Sequence, residues 1–76
     1  MPKITVFTAD NCTPCKMVKQ LLNTHGITFD EKSITEENNM TELTSLGFMK
    51  APVTIIDENA PILGADFRLI HEQLGL

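Results

Sequence analysis

The chain has 76 residues, 42% of them hydrophobic and 21% charged, with four Phe but neither Trp nor Tyr, the balance of one small domain over residues 1–76 that folds alone around a limited core and leaves no room for a second. Ten acidic against six basic residues leave a net charge of -4, with the lysines scattered along the chain, which argues against nucleic-acid binding. No apolar run approaches the ~18 residues of a membrane span and no basic segment leads into an apolar one at the amino terminus, so a monomeric cytoplasmic protein without membrane association is expected.

Ile4-Thr5-Val6-Phe7-Thr8 is β-branched or aromatic throughout and is stopped by Asp10-Asn11, which predicts a strand buried on both faces. Beyond Cys12 and Cys15, Met17, Val18, Leu21 and Leu22 recur at helical spacing. Lys16, Lys19, Gln20 and Asn23 lie opposite, and Gly26 supplies a stop. The alternation around Phe29 predicts a second, more exposed strand from Thr28 to Ile34. Thr35 suits a helix N-cap, Glu36 and Glu37 place negative charge in the first turn, and Met40, Leu43 and Leu46 form an inward stripe. That helix should end near Gly47.

Val53-Thr54-Ile55-Ile56 reads as a third strand, Asp57-Glu58-Asn59 as a turn, and Pro61-Ile62-Leu63 as a short fourth strand pairing back in a hairpin. Asp66 can cap a last helix from Phe67 to Leu74, whose Phe67, Ile70 and Leu74 share one face. The order is β-α-β-α-β-β-α, an α/β class. A right-handed crossover makes the first two strands parallel, the hairpin adds antiparallel strands to the same four-stranded mixed sheet, and three helices cover its two faces.

The only two cysteines stand three apart at the junction of the first strand and first helix. A structural disulfide across so small a loop stabilises little, so the pair reads as redox-active or metal-binding. At or near the N-cap, Cys12 meets unpaired backbone N–H groups and positive potential, which favour its thiolate and bring its pKa below about 8.5. Lys16, one turn on, adds to that effect, whereas Asp10, two residues before, opposes it. Cys15 falls inside the first turn, faces the sheet, and should stay a thiol until needed. Cys12 then attacks a partner disulfide, and Cys15 resolves the mixed disulfide. Zinc would want four ligands, and His25 and His71 lack the paired spacing of zinc modules, so no metal site is expected. His25 reads as a partner for a helix carboxyl end and His71 as a solvated side chain. The rival of another class is a non-catalytic thiol module holding a metal or iron–sulfur cluster between two subunits. By its residues alone, Ala51-Pro52 is an ordinary trans proline opening a strand.

Val6-Phe7-Thr8 leading into Cys12-Thr13-Pro14-Cys15-Lys16-Met17-Val18-Lys19, with Gly47-Phe48-Met49-Lys50-Ala51-Pro52-Val53 later on, resembles the glutaredoxin-like proteins of the thioredoxin superfamily, and most of all the NrdH redoxins. The resemblance covers nearly the whole chain and implies a thioredoxin fold. It also implies a cis Pro52 packed beside the cysteines, where a metal would otherwise need space, and an Ala51 whose backbone pairs with a partner peptide like a short added strand. Thr13, Pro14, Lys50 and Gly64 complete the implied partner-binding set.

The NrdH resemblance implies an electron carrier that reduces the disulfide of ribonucleotide reductase. It is recharged from NADPH by thioredoxin reductase and carries no tightly bound cofactor. An ordinary glutaredoxin draws on glutathione instead. Thr8 and Ala9 stand where glutaredoxins usually carry a basic residue, and Lys50-Ala51-Pro52 replaces their Thr-Val-Pro, which disfavours glutathione. Leu63-Gly64-Ala65-Asp66-Phe67, however, lacks the Gly-Phe-Arg-Pro of NrdH redoxins and is similar to the Gly-Gly-x-x-Asp loop of glutaredoxins, in which Asp66 would meet the γ-glutamyl amino group. Proline before the second cysteine, as in thioredoxins, implies a reducing potential nearer roughly -270 mV than -200 mV.

Overall fold

A computed structural model describes residues 3–76. The elements are β1 (Ile4–Thr8), α1 (Thr13–Thr24), β2 (Asp30–Ser33), α2 (Glu37–Ser45), β3 (Val53–Ile56), β4 (Ile62–Leu63) and α3 (Phe67–Leu74), the order the sequence predicts. The sheet runs β2-β1-β3-β4. β1 is parallel to β2, with Val6 opposite Glu31, and antiparallel to β3, with Phe7 opposite Val53. β4 returns antiparallel to β3, setting Ile62 opposite Thr54.

Strand side chains alternate between faces, and β1 divides the apolar residues accordingly. Ile4 and Val6 join Val18 and Leu22 of α1, Ile56 and Ile62 of the sheet, and Ile70 of α3 in one buried cluster. Phe7 joins Leu43 of α2 and Val53 in a second, with Ile34, Met40, Phe48 and Ile55 packed around it. Two helices on one face and one on the other give the three-layer thioredoxin fold. Because β1 is central it is buried on both faces, as its composition requires.

Three boundaries and one core position differ from the sequence reading. β2 is shorter than Thr28–Ile34, because Phe29 turns into the α1/α3 cluster before the ladder starts. The Ile34 amide still donates to the Thr8 carbonyl at 2.8 Å. The N-cap of α2 is Glu36 rather than Thr35. The Thr35 hydroxyl is 2.7 Å from the Ser33 hydroxyl instead, and Asn39 Nδ2 closes the helix start by donating to the Ser33 carbonyl at 2.9 Å. Leu46 is 42% exposed at the C-cap. Phe48 takes the core position expected of Leu46, after Gly47 turns the chain with φ 92°. Pro61 lies outside β4, since it has no N–H to give a ladder.

Candidate active site

Thr8 ends β1, and the chain turns through Asn11, whose φ of 52° lies in the left-handed region that Asn tolerates. This turn delivers Cys12 in an extended conformation as the N-cap of α1. Thr13 and Pro14 occupy the first two helical positions, where a proline's missing N–H costs nothing. The Cys15 amide donates to Cys12 Sγ at 3.2 Å. Cys12 and Cys15 form a disulfide with their Cα atoms 5.2 Å apart. Cys12 is half-buried and open to approach, whereas Cys15 is 1% exposed. One helix-end amide and the helix dipole thus meet at the more exposed of the two sulfurs.

The Ala51-Pro52 peptide bond is cis. One step beyond the Phe7–Val53 pair, Pro52 stands across from Thr8, at the end of the sheet where the chain leaves for Cys12. The Gly64 amide donates to the Pro52 carbonyl at 2.8 Å, with Gly64 at a positive φ of 78°. Pro52 and Gly64 are thereby held together at the end of the sheet where the chain leaves for Cys12, and Lys50, Thr13 and Pro14 are exposed. Met49 and Leu63, directly before Lys50 and Gly64, are 75% and 55% exposed. Sequence reasoning passed over these two apolar side chains. Their signal was their position flanking the proline and glycine segments.

Asp10 and Lys16 are exposed, and neither side chain makes a hydrogen bond or ion pair among the described residues. The polar network nearest the site lies elsewhere. Thr8 Oγ1 donates to Glu31 Oε2 at 2.9 Å, and Lys19 Nζ donates to the same oxygen at 3.0 Å. The Lys19 hydrogen bond first, then that from Thr8, holds the Glu31 carboxyl below its usual 4.5, against a smaller opposing effect of burial. Nothing in the local sequence pointed to this triad, which depends on the parallel register of β1 and β2.

Asp66 Oδ1 accepts from the Leu69 amide at 3.1 Å and caps α3 as expected. His25 is the C-cap residue of α1, with its ring edge-on to His71 at 5.8 Å. His71 is half-buried rather than solvated, with its Nε2 buried and its ring packed edge-on against that of His25. Among the described residues no group of three or more His, Cys, Asp or Glu side chains is placed to hold a metal ion, and no helix is long and apolar enough to cross a membrane.

The family model described as Glutaredoxin matches residues 4–60, which include both cysteines and Pro52. The chain belongs to the glutaredoxin family. The redoxin is 43% identical over 58 residues to the Glutaredoxin-like protein NrdH of Lactococcus lactis subsp. lactis (strain IL1403), a match covering 75% of this chain and 81% of that protein. Among solved structures it is similar to the NrdH-redoxin from Escherichia coli, with a TM-score of 0.82 and 22% identity over 92% of each chain. It is also similar to a methanoredoxin of Methanosarcina acetivorans, with a TM-score of 0.82 and 27% identity over 97% of this chain and 85% of that one. These likenesses bear out the thioredoxin fold and the NrdH-like resemblance, and with the Cys12–Cys15 pair they make the redoxin a thiol–disulfide oxidoreductase.

Proposed function

We propose that this redoxin carries electrons from NADPH, through thioredoxin reductase, to the disulfide of ribonucleotide reductase or a similar enzyme of the cytoplasm. The observation that carries the reading is the asymmetry of the pair: Cys12 is reachable and hydrogen-bonded by the Cys15 amide, whereas Cys15 is enclosed.

In the dithiol form the Cys12 thiolate attacks one sulfur of the partner disulfide. That S–S bond breaks, and the departing partner thiolate takes up a proton. Cys15 then gives up its proton and attacks Cys12 Sγ, which closes the Cys12–Cys15 bond and releases the second partner thiol. Two electrons and two protons pass to the partner, and the reductase returns them by the reverse exchange. Ala51, Pro52 and Gly64 would dock the partner chain beside Cys12, with Thr13, Pro14 and Lys50 at the edge of the contact. Asp10 and Lys16 would bias the Cys12 charge through space.

The choice of donor is supported by the likeness to NrdH proteins, of which the Escherichia coli member has a described thioredoxin-like activity profile. It is also supported by Thr8, which is engaged with Glu31 where glutaredoxins usually carry a basic residue. The Asp66 carboxylate is accounted for by its cap on α3. The test mixes the oxidised redoxin with NADPH and either thioredoxin reductase, or glutathione with glutathione reductase, and follows NADPH consumption. Turnover with thioredoxin reductase is expected, and turnover with glutathione alone overturns the choice.

A further inference from the structure

β3 holds one polar residue inside the core. Thr54 is 0% exposed, and its Oγ1 is buried without a hydrogen-bond partner. Its neighbours Val53 and Ile55 pack on the α2 side, so alternation turns Thr54 to the face covered by α1 and α3. Val6 and Ile62, its cross-strand partners on either side, both belong to the cluster on that face. β3 is paired on both edges, which leaves the hydroxyl few uncommitted carbonyls in its own sheet. A buried hydroxyl without a partner is a net cost, so its presence calls for a role.

The buried residues of α1 are Cys15, Val18 and Leu22, a stripe at i, i+3 and i+7 that faces this same surface. The chain passes from the end of β1 into α1 and returns to the start of the parallel β2, so α1 runs back along β1. Its amino-terminal turn therefore stands over the end of the sheet where β1 stops and β3 begins. Cys15 enters the core there, one turn before Val18 in the chain, and Thr54, the second residue of β3, turns to the same face at that end of the sheet. The other buried hydroxyl on this face, Thr8, has already committed its proton to Glu31. That of Thr54 is uncommitted.

We propose that Thr54 is a positioning residue for the resolving step, its hydroxyl donating a hydrogen bond to Cys15 Sγ once that sulfur is released from the disulfide. While Cys15 is bonded to Cys12 the hydroxyl is idle, as observed. In the mixed disulfide it holds the Cys15 thiolate toward Cys12 Sγ, and in the dithiol state it shares in stabilising the reduced protein. Thr54 transfers no proton: the Cys15 proton goes to the leaving partner sulfur or to water. This rests on the Cys12–Cys15 chemistry and not on the electron donor or acceptor proposed above.

The experiment equilibrates wild type, Thr54→Val and Thr54→Ser with reduced and oxidised dithiothreitol, and measures the melting of each oxidised form. Valine matches threonine in shape and lacks the hydroxyl. Thr54→Val should shift the equilibrium toward the protein disulfide by about three- to tenfold, the worth of one modest hydrogen bond. It should slow closure of a Cys12 mixed disulfide by a similar factor and move the pH profile of that closure upward, while the oxidised form melts no lower than wild type. Thr54→Ser should restore the wild-type equilibrium. An unchanged equilibrium and pH profile in Thr54→Val, or an equal shift in Thr54→Ser, overturns the proposal. Dithiothreitol is the only reductant used, so neither result depends on thioredoxin reductase or ribonucleotide reductase.

Discussion

The amide of Cys15 points at the sulfur of Cys12 from 3.2 Å inside a single helical turn. One backbone group thus ties Cys15 to the sulfur of Cys12, and the extended N-cap conformation of Cys12 makes the contact possible. In the reduced redoxin, Cys12 should therefore react first with iodoacetamide and Cys15 only slowly. Peptide mass mapping after brief exposure checks this, and equal labelling of the two would contradict it.

Glu31 joins Thr8 and Lys19 across β1, β2 and α1. A carboxyl held below its usual 4.5 adds stability above that pH, and the contribution is lost as pH falls through the lower folded value. The pair is partly exposed, so solvent screening limits it to about 0.2–1 kcal/mol. Glu31→Gln should lose that much at pH 7 in urea titration and nothing at the acid end. A deficit that persists there would point to packing rather than charge.

Asp66 caps α3 through the Leu69 amide. Asp66→Ala should cost about 1 kcal/mol in chemical denaturation and leave turnover with thioredoxin reductase intact. Loss of a glutathione-dependent activity without loss of stability would instead assign the carboxylate to glutathione.

Leu43 is the only fully buried residue of α2 and sits against Phe7 and Val53. Leu43→Ala should destabilise by about 2–5 kcal/mol, a large share of what so small a domain has. Near-native stability in urea would show that the α2 face can collapse onto the cavity.

The first and last helices were legible in the residues because periodicity and caps agreed: Cys12 and Asp66 both cap as expected, and Val18, Leu22 and Ile70 are buried. β1 and β3 declared themselves through β-branched runs. What failed depended on neighbours. Thr35 gave up the cap of α2 because Ser33 was within reach of its hydroxyl, Leu46 lost its core place to Phe48 beyond a glycine turn, and His71 packs edge-on against a histidine 46 positions away. At the site, the cysteine spacing and the strand–helix junction were readable locally. The cis form of Pro52 came from family resemblance, and the Gly64 to Pro52 bond and the idle Thr54 hydroxyl came only from the assembled sheet.

The central claim is that Cys12 attacks and Cys15 resolves. It is tested most directly by incubating Cys15→Ser and Cys12→Ser with a disulfide-bonded protein substrate and weighing the products intact. Cys15→Ser should accumulate a stable mixed disulfide through Cys12, and Cys12→Ser should form none. A persistent adduct on Cys15, or release of reduced substrate by Cys12→Ser, would contradict the account.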